Sequence, residues 1–220
     1  MNIMQVVGPI MVGPSSSHTA GVVRLGKVCY RILGGTPKEA EITFYRSFAK
    51  TYKGHGSDKA IVAGLLNFTT DDERIVNAVE YAKELGFDFR ITPSEKYSRH
   101  PNTVKVVAKD VHGNQCEILG ESIGGGEIRV RKIDGIDVEL DGTYDTIITH
   151  HKDEPGVVTK LTKILYEANI NIATMKVFRA NKGDSAIMFV EVDHKPSKEI
   201  IEDMKKLNSI QDIKFIPKIF

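Results

Sequence analysis

The sequence predicts an α+β protein with two domains, an α/β domain over residues 1–142 and a βαββαβ domain over residues 143–220. Helix-like and strand-like segments are mixed in the first part of the chain. Asp141-Gly142-Thr143 then marks a boundary, and six regular segments follow it. A chain of 220 residues is long enough to bury a core in each domain.

The first domain is predicted to open with a helix that begins at Thr19 or Ala20 and runs to about Leu33, where Gly34-Gly35 ends it. The helix over 72–86 is predicted to turn Ile75, Val76, Val79, Ala82 and Leu85 inward. The other predicted elements are a strand over 41–48, a helix over 60–66, and strands over 87–91, 103–110, 115–122, 127–133 and 136–140.

The second domain has the segment order of a ferredoxin-like fold. The turn Asp153-Glu154-Pro155-Gly156 separates its first strand from its first helix. The predicted elements are strand 143–150, helix 157–168, strands 170–180 and 185–192, helix 197–207 and strand 210–219.

Composition and charge exclude several classes of protein. The formal net charge is +1, so a basic surface for nucleic acid is not expected. No apolar run approaches the roughly 20 residues that a membrane-spanning helix needs. The N-terminal residues lack the pattern of a secretory signal, and we expect a cytoplasmic protein that binds neither nucleic acid nor membranes.

Cys29 and Cys116 are far apart in the sequence and have no metal-ligand spacing. Cys29 lies in an apolar helical run and is expected to be a small buried side chain. Two such cysteines cannot supply the four thiolates of an iron–sulfur cluster, so no metal site is predicted in this chain.

Three polar segments each place a histidine beside small or hydroxylated residues at the boundary of an element, where functional groups concentrate. Convergence of these segments on one site is predicted. An N-cap alone would need one hydroxyl, whereas the first segment offers four and an imidazole. The segments are Ser15-Ser16-Ser17-His18-Thr19, Lys53-Gly54-His55-Gly56-Ser57-Asp58 and Arg99-His100-Pro101-Asn102-Thr103.

These segments resemble the beta subunit of iron–sulfur-dependent L-serine dehydratase (L-serine deaminase), a resemblance that covers essentially the whole chain. It rests on Gly13-Pro14-Ser15-Ser16-Ser17-His18-Thr19-Ala20-Gly21, with support from Gly54-His55-Gly56-Ser57-Asp58 and His100-Pro101-Asn102-Thr103. In that family the alpha part carries a [4Fe–4S] cluster on cysteines, and some members split the two parts into separate chains. The resemblance therefore implies a subunit that is inactive alone and works in a heterodimer with an alpha subunit.

The implied reaction converts L-serine to pyruvate and ammonia, a step of amino-acid catabolism and gluconeogenesis. Iron would act as a Lewis acid on the serine hydroxyl, a base would remove the Cα proton, and pyridoxal phosphate would not be needed. His18, His55 and His100 are the implied catalytic candidates, and the resemblance does not say which is the base. The implied substrate-binding residues are Ser15, Ser16, Ser17, Thr19, Lys53, Asn102 and Thr103.

The second domain resembles an ACT domain, a regulatory module that usually binds amino acids between paired copies. The resemblance rests on Asp153-Glu154-Pro155-Gly156-Val157-Val158 and Asn169-Ile170-Asn171-Ile172. It implies an effector site at Pro155, Gly156, Val157 and Asn169, where glycine lets the backbone approach a carboxylate. In the alternative interpretation, Pro155-Gly156 only shapes the turn and the module only forms homodimers.

The first domain also resembles the allosteric substrate-binding domain of some phosphoglycerate dehydrogenases. This second resemblance keeps another function open, in which the serine-rich segment binds a regulatory anion or amino acid and carries no chemistry. The identity of an effector, the oligomeric state and the choice of serine over threonine stay open from the sequence.

Overall fold

The computed structural model describes residues 8–179 and 183–219. The chain divides between Gly142 and Thr143 into two compact units, which we call the first unit and the second unit. Each unit combines one sheet with helices, which confirms the α+β prediction. None of the helices in the described residues is long and apolar enough to cross a membrane.

Six strands form one sheet in the first unit: β1 (Glu39–Tyr45), β2 (Asp88–Ser94), β3 (Thr103–Lys109), β4 (Gln115–Gly124), β5 (Glu127–Ile133) and β6 (Ile136–Leu140). Their order is β2-β1-β3-β4-β5-β6. β1 and β2 are parallel and the other neighbours are antiparallel. A parallel pair needs a long crossover, and the chain between β1 and β2 contains three of the helices.

The helices of the first unit are α1 (Gly21–Leu33), α2 (Arg46–Thr51), α3 (Ser57–Leu65) and α4 (Ala78–Glu84). A π-helical turn, Ser16–Ala20, precedes α1, and a 3₁₀ turn, Glu73–Asn77, precedes α4. As predicted, α1 ends where Gly34 adopts a left-handed φ of 85°.

Two glycines allow α1 and α3 to pack in close contact. A Cβ added to Gly26 would lie 2.5 Å from the carbonyl oxygen of Ile61, and one added to Gly64 would lie 2.1 Å from that of Val23. α1 begins shortly after the first polar segment, and α3 begins at Ser57, inside the second. The close packing of the two helices therefore brings those two segments to neighbouring positions.

The strand predicted over 41–48 is wrong at its C-terminal end. β1 stops at Tyr45, and the following residues form α2. Arg46 has a φ of 47°, a left-handed conformation that ends the strand. The alternation of apolar and polar residues extends to Phe48, which misled the prediction. Phe48 is apolar because its side chain is fully buried in α2.

The helix predicted over 72–86 is divided into the 3₁₀ turn and α4. Ile75 and Ala82 are buried as predicted and Val79 is half-buried, but Val76 and Leu85 are 50% and 65% exposed. A 3₁₀ turn has three residues per turn, so its side chains do not follow the face of a continuous α-helix. The inward placement predicted for Val76 is therefore wrong. That predicted for Leu85 is also wrong, because Leu85 lies just beyond the last residue of α4.

The second unit contains β7 (Asp145–Lys152), α5 (Val157–Glu167), β8 (Ile172–Arg179), β9 (Ser185–Val192), α6 (Lys198–Lys205) and β10 (Ile210–Ile216). The four strands are antiparallel in the order β10-β7-β9-β8, which confirms the ferredoxin-like prediction. Ala180, predicted as the end of a strand, lies outside the described residues. The core includes Ile147, Leu161, Leu165, Met188 and Met204.

Candidate active site

The serine-rich segment forms the π-helical turn in front of α1, and Ser15 caps it. The Oγ of Ser15 accepts a hydrogen bond from the His18 N–H at 3.2 Å, and its carbonyl accepts one from the Thr19 N–H at 2.8 Å. A Cβ on Gly13, whose φ is 136°, would lie 2.5 Å from the Thr19 methyl carbon. The turn therefore depends on a glycine at position 13 and a hydroxyl at position 15.

His18 and His55 lie against each other at the starts of α1 and α3. Their ring centroids are 4.7 Å apart, with the planes inclined at 64°. Thr19 Oγ1 donates a hydrogen bond to the His55 carbonyl at 3.2 Å, and Ser57 Oγ donates one to the His18 carbonyl at 2.7 Å. These reciprocal bonds hold the first two predicted segments together, and we call the two imidazoles the histidine pair.

One nitrogen of each ring in the histidine pair lacks a hydrogen-bond partner among residues 8–179 and 183–219. His18 Nδ1 lies 3.0 Å from Ser17 Oγ and 3.4 Å from Ser15 Oγ. His18 Nε2 and His55 Nδ1 are buried and form no hydrogen bond within the described residues. Because a buried polar atom without a partner is costly, two such nitrogens side by side indicate a position for a ligand or substrate group.

The electrostatic surroundings of the histidine pair favour a neutral His18. Burial lowers the pKa of His18, and the charge of neighbouring His55 lowers it further. The starts of α1 and α3 carry partial positive charge, which also disfavours imidazolium. The same positive helix ends favour an anion such as a carboxylate beside the pair. A neutral imidazole next to an anion site can accept a proton from a bound molecule.

The third predicted segment forms hydrogen bonds mainly within itself. The Asn102 N–H donates to His100 Nδ1 at 3.2 Å, and Thr103 Oγ1 donates to the His100 carbonyl at 2.6 Å. The Thr103 side chain is almost completely buried. The Thr103 hydroxyl therefore supports the backbone of the segment.

A backbone hydrogen bond and a ring contact connect this third segment to the surroundings of the histidine pair. The Ser47 N–H donates to the Pro101 carbonyl at 3.0 Å, and the next residue is Phe48, whose ring centroid lies 5.1 Å from that of His18. Within the described residues, no hydrogen bond or ring contact joins His100 to His18 or His55. The structure thus places the third segment as a neighbour of the pair.

Ser122 is a site residue that the sequence did not single out. It lies on β4, is fully buried, and its Oγ has no hydrogen-bond partner within the described residues. A Cβ on Gly21 would lie 2.1 Å from this Oγ, and the Ser122 N–H donates to the Asn102 carbonyl at 3.0 Å. One feature of the sequence could have pointed to Ser122. It is a serine at a position of β4 that faces the helices, where the other residues facing that way are apolar or glycine.

Two predicted substrate-binding residues differ from the half-buried serines in their burial: Lys53 is more exposed and Thr19 is more buried. Lys53 is exposed, with its Nζ 6.0 Å from the centroid of the Tyr52 ring. Thr19 is 2% exposed and uses its hydroxyl on the His55 carbonyl. The geometry thus assigns Thr19 to positioning His55, while Ser16 and Ser17 are half-buried at the turn.

The predicted effector residues of the second unit lie at the two ends of α5. Gly156 has a φ of 92° and precedes the helix, Pro155 is exposed, and Val157 is buried in the core. Asn169 follows the other end of the helix, with a φ of 54°. Because an 11-residue helix is about 16 Å long, Asn169 does not meet Gly156 within one copy of the chain.

Cys29 and Cys116 face each other in the interior of the first unit, although they are distant in the sequence. Their Sγ atoms are 3.7 Å apart, both side chains are fully buried, and both are free thiols. The predicted burial of Cys29 is confirmed. No group of three or more His, Cys, Asp or Glu side chains suited to a metal ion occurs in the described residues.

Comparison with known proteins identifies the family. The sequence matches the family described as Serine dehydratase beta chain over residues 6–86 and the ACT domain family over residues 146–209. It is 39% identical over 209 residues to the probable L-serine dehydratase beta chain of Bacillus subtilis (strain 168), covering 95% of this chain and 94% of that protein. This chain belongs to the L-serine dehydratase beta chain family.

Two further relatives match this chain, and one of them is also an L-serine dehydratase beta chain. The L-serine dehydratase beta chain of Peptoniphilus asaccharolyticus is 37% identical over 202 residues, or 91% of this chain and 89% of that protein. D-3-phosphoglycerate dehydrogenase of Archaeoglobus fulgidus is 28% identical over 88% of this chain but only 37% of its own length. Both resemblances found in the sequence, to the beta chain family and to phosphoglycerate dehydrogenase, therefore correspond to sequence matches.

Proposed function

We propose that this chain is the beta subunit of a cytoplasmic, heterodimeric L-serine dehydratase, which forms pyruvate and ammonia from L-serine together with an alpha subunit. The observation that carries the proposal is the histidine pair, with an unpartnered buried nitrogen on each ring. Membership of the beta chain family supports the substrate and the need for a partner. The proposed reaction serves amino-acid catabolism and gluconeogenesis.

The substrate carboxylate is proposed to bind at the start of α1. Ser16 and Ser17 are half-buried in the π-helical turn and offer hydroxyl donors. The partial positive charge at the helix start adds to the attraction. Ser15, Lys53, Asn102 and Thr103 are retained as binding candidates, with Ser15 and Thr103 acting through the loops that they support.

His18 is proposed to remove the Cα proton. When its Nδ1–H donates to Ser17 Oγ, the lone pair on Nε2 is free to accept a proton. The lowered pKa of His18 keeps that nitrogen unprotonated at neutral pH. His55 is proposed to share the proton through its unpartnered Nδ1, and His100 to complete the site from the third segment.

The two cysteines of this chain do not fit a cluster site. Cys29 and Cys116 face each other in a closed core, and four thiolates are required. The [4Fe–4S] cluster of the proposed enzyme is therefore assigned to cysteines of the alpha subunit. The steps proposed for this chain are substrate binding and proton transfer, with no pyridoxal phosphate.

The two units are proposed to be separate domains, a serine dehydratase beta-type domain over 1–142 and an ACT domain over 143–220. Gly156 can bring a backbone amide close to an effector carboxylate, which supports an effector site at Pro155, Gly156 and Val157. Pairing of two ACT domains is supported by β8, an edge strand on which Met175 and Val177 are 40% and 45% exposed. Asn169 would then contribute from the other copy.

The proposed function is tested by reconstituting the chain with a cysteine-rich alpha subunit under anaerobic conditions. Activity on L-serine is expected only with both chains. His18→Gln is expected to lower kcat by roughly 10²- to 10⁴-fold, the usual contribution of a general base. His112→Gln is the matched control, because His112 lies in an exposed turn.

Two results would contradict this function. An alpha subunit with full activity alone would remove the need for this chain in catalysis. A His18→Gln complex with wild-type kcat and altered activation by effectors would support the regulatory alternative, in which the serine-rich segment senses an amino acid or an anion.

A further inference from the structure

A cavity opens on the face of the first-unit sheet opposite to α1. Its volume is about 630 Å³, and its walls include Tyr45, Lys96, Arg99, Leu119, Glu121 and Arg131. We propose that this cavity binds a small organic dianion, such as a dicarboxylate, and that the ligand acts on the loop that carries His100. The inference does not rest on the proposed function.

The register of β4 separates this cavity from the histidine pair. Side chains alternate between the two faces of a strand. Gly120 and Ser122 face α1, since a Cβ on Gly120 would meet Leu25, and Ser122 lies beside Gly21. Leu119 and Glu121 therefore point to the opposite face, where the cavity lies.

The cavity contains a partly buried ion pair between Glu121 and Arg131. The Glu121 side chain is 4% exposed, and Arg131 Nε donates to its Oε2 at 2.8 Å. Lys132 pairs in the same way with Asp137 at 3.2 Å. The side chains of Lys132 and Asp137 are exposed, so the fixed polar group of the cavity is the Glu121–Arg131 pair.

Two further cations on the cavity wall have no such partner. Lys96 and Arg99 line the cavity and form no ion pair in the part of the chain that the structure describes. Arg131 and Lys132 are paired with carboxylates, with Glu139 as a second partner of Arg131 at 3.4 Å, so Lys96 and Arg99 are the two wall cations left for a ligand. A ligand with two negative charges would pair with both, and the guanidinium of Arg99 suits a carboxylate or phosphate.

Part of the cavity wall is apolar, which favours an organic ligand over a simple ion. Leu119, Val138 and the ring of Tyr45 provide apolar surface beside the charged groups. The volume is in the range of sites for small molecules. A short carbon chain between two anionic groups would contact both kinds of wall.

The cavity is linked to the third segment of the candidate active site. Ser98, which also lines the cavity, donates through its Oγ to the His100 carbonyl at 2.8 Å. Arg46 holds the same residue from α2, donating to the Ser98 carbonyl at 3.1 Å. A ligand that orders Lys96 and Arg99 would therefore also restrain the backbone of His100.

The test is isothermal titration calorimetry on the full chain at constant ionic strength, with succinate, inorganic phosphate and acetate as probes. Succinate is expected to bind at one site, more tightly than phosphate and at least roughly tenfold more tightly than acetate, because each charge-assisted contact adds about a tenfold factor. The double variant Lys96→Gln/Arg99→Gln is expected to weaken succinate binding roughly a hundredfold.

The matched control is Lys83→Gln/Arg90→Gln, which removes the same charges from exposed positions of the same unit. Equal affinity for succinate in the two double variants, or no saturable binding by the wild type, would overturn the site. Phosphate binding more tightly than succinate would overturn the organic ligand. In NMR spectra the His100 ring signals should shift with succinate while those of His112 do not, and unchanged His100 signals would overturn the link to the loop.

Discussion

Gly56 and Gly156 precede helices of the two units in the same left-handed conformation, with φ values of 68° and 92°. The polar groups beside them differ. Next to Gly56, His55 Nδ1 is buried and has no hydrogen-bond partner in the part of the chain that the structure describes. Next to Gly156, Glu154 bonds to Ser209, and Asp153 lies 3.2 Å from Arg179 in an ion pair.

The difference indicates where each unit can act on a ligand. Within the described residues, the buried side-chain atoms that lack a hydrogen bond all belong to the first unit, and three of them are on His18, His55 and Ser122. Unsatisfied buried groups are retained where a ligand completes them. The turn of the second unit has its carboxylates satisfied, so it offers a ligand mainly its backbone.

The largest expected effect distinguishes the half-buried His55 of the first unit from the buried His151 of the second unit. In the reconstituted complex, His55→Gln should lower kcat by roughly a hundredfold or more, because the pair loses a proton-transfer group. His151→Gln should leave kcat unchanged and lower the free energy of unfolding by about 1–3 kcal/mol, because His151 is buried and bonded to Thr149 Oγ1. Steady-state kinetics and urea unfolding check both outcomes, and equal kcat losses would remove the distinction between the units.

Gly64→Ala tests the helix contact that brings the histidine pair together. The added Cβ would lie 2.1 Å from a backbone oxygen, so α1 and α3 must separate. We expect a loss of about 2–3 kcal/mol in the free energy of unfolding, as for overpacked cores, together with lower kcat. Gly54→Ala is the control, since a Cβ there would lie 3.8 Å from the Thr51 carbonyl oxygen, an ordinary contact distance. Equal stability of the two variants would argue against a close contact.

A smaller loss of stability is expected from substituting either of the two glycines with positive φ, Gly56 and Gly156. Gly56→Ala and Gly156→Ala should each cost about 1 kcal/mol, because alanine is strained at positive φ and neither added Cβ meets another atom. Only Gly56→Ala should also lower kcat, since it shifts His55. A matching kcat loss in Gly156→Ala would show that the second unit participates in turnover.

The smallest expected effect is a dependence of stability on pH in both units. Burial lowers the pKa of His18 and of His151, so each binds protons less readily in the folded chain than in the unfolded chain. The stability from neutral imidazole is present above the unfolded pKa of about 6.5 and is lost as pH falls through the folded pKa. Urea unfolding between about pH 7 and pH 5 should show the decline. His18→Gln and His151→Gln should each reduce it, and unchanged slopes would contradict these directions.

Much of the second unit could be predicted from the sequence, because its strands and helices are bounded by clear turn residues and each buries one regular face. The first unit was less predictable where local rules compete. Tyr45 ends a strand because Arg46 takes a left-handed conformation, and Val76 is exposed because a 3₁₀ turn replaces an α-helix. Both depend on local backbone geometry that hydrophobic periodicity does not encode.

The sequence by itself determined which residues are candidates for the chemistry, since hydroxyls and imidazoles at element boundaries are visible as a pattern at Ser15–His18, His55 and His100. Only the tertiary structure decided which of them meet. Gly26 and Gly64 permit the helix contact that joins His18 to His55, while His100 stays in a neighbouring loop. It also decided that Ser122 joins the site and that Cys29 meets Cys116. These contacts arise from packing between distant segments, which spacing along the chain does not specify.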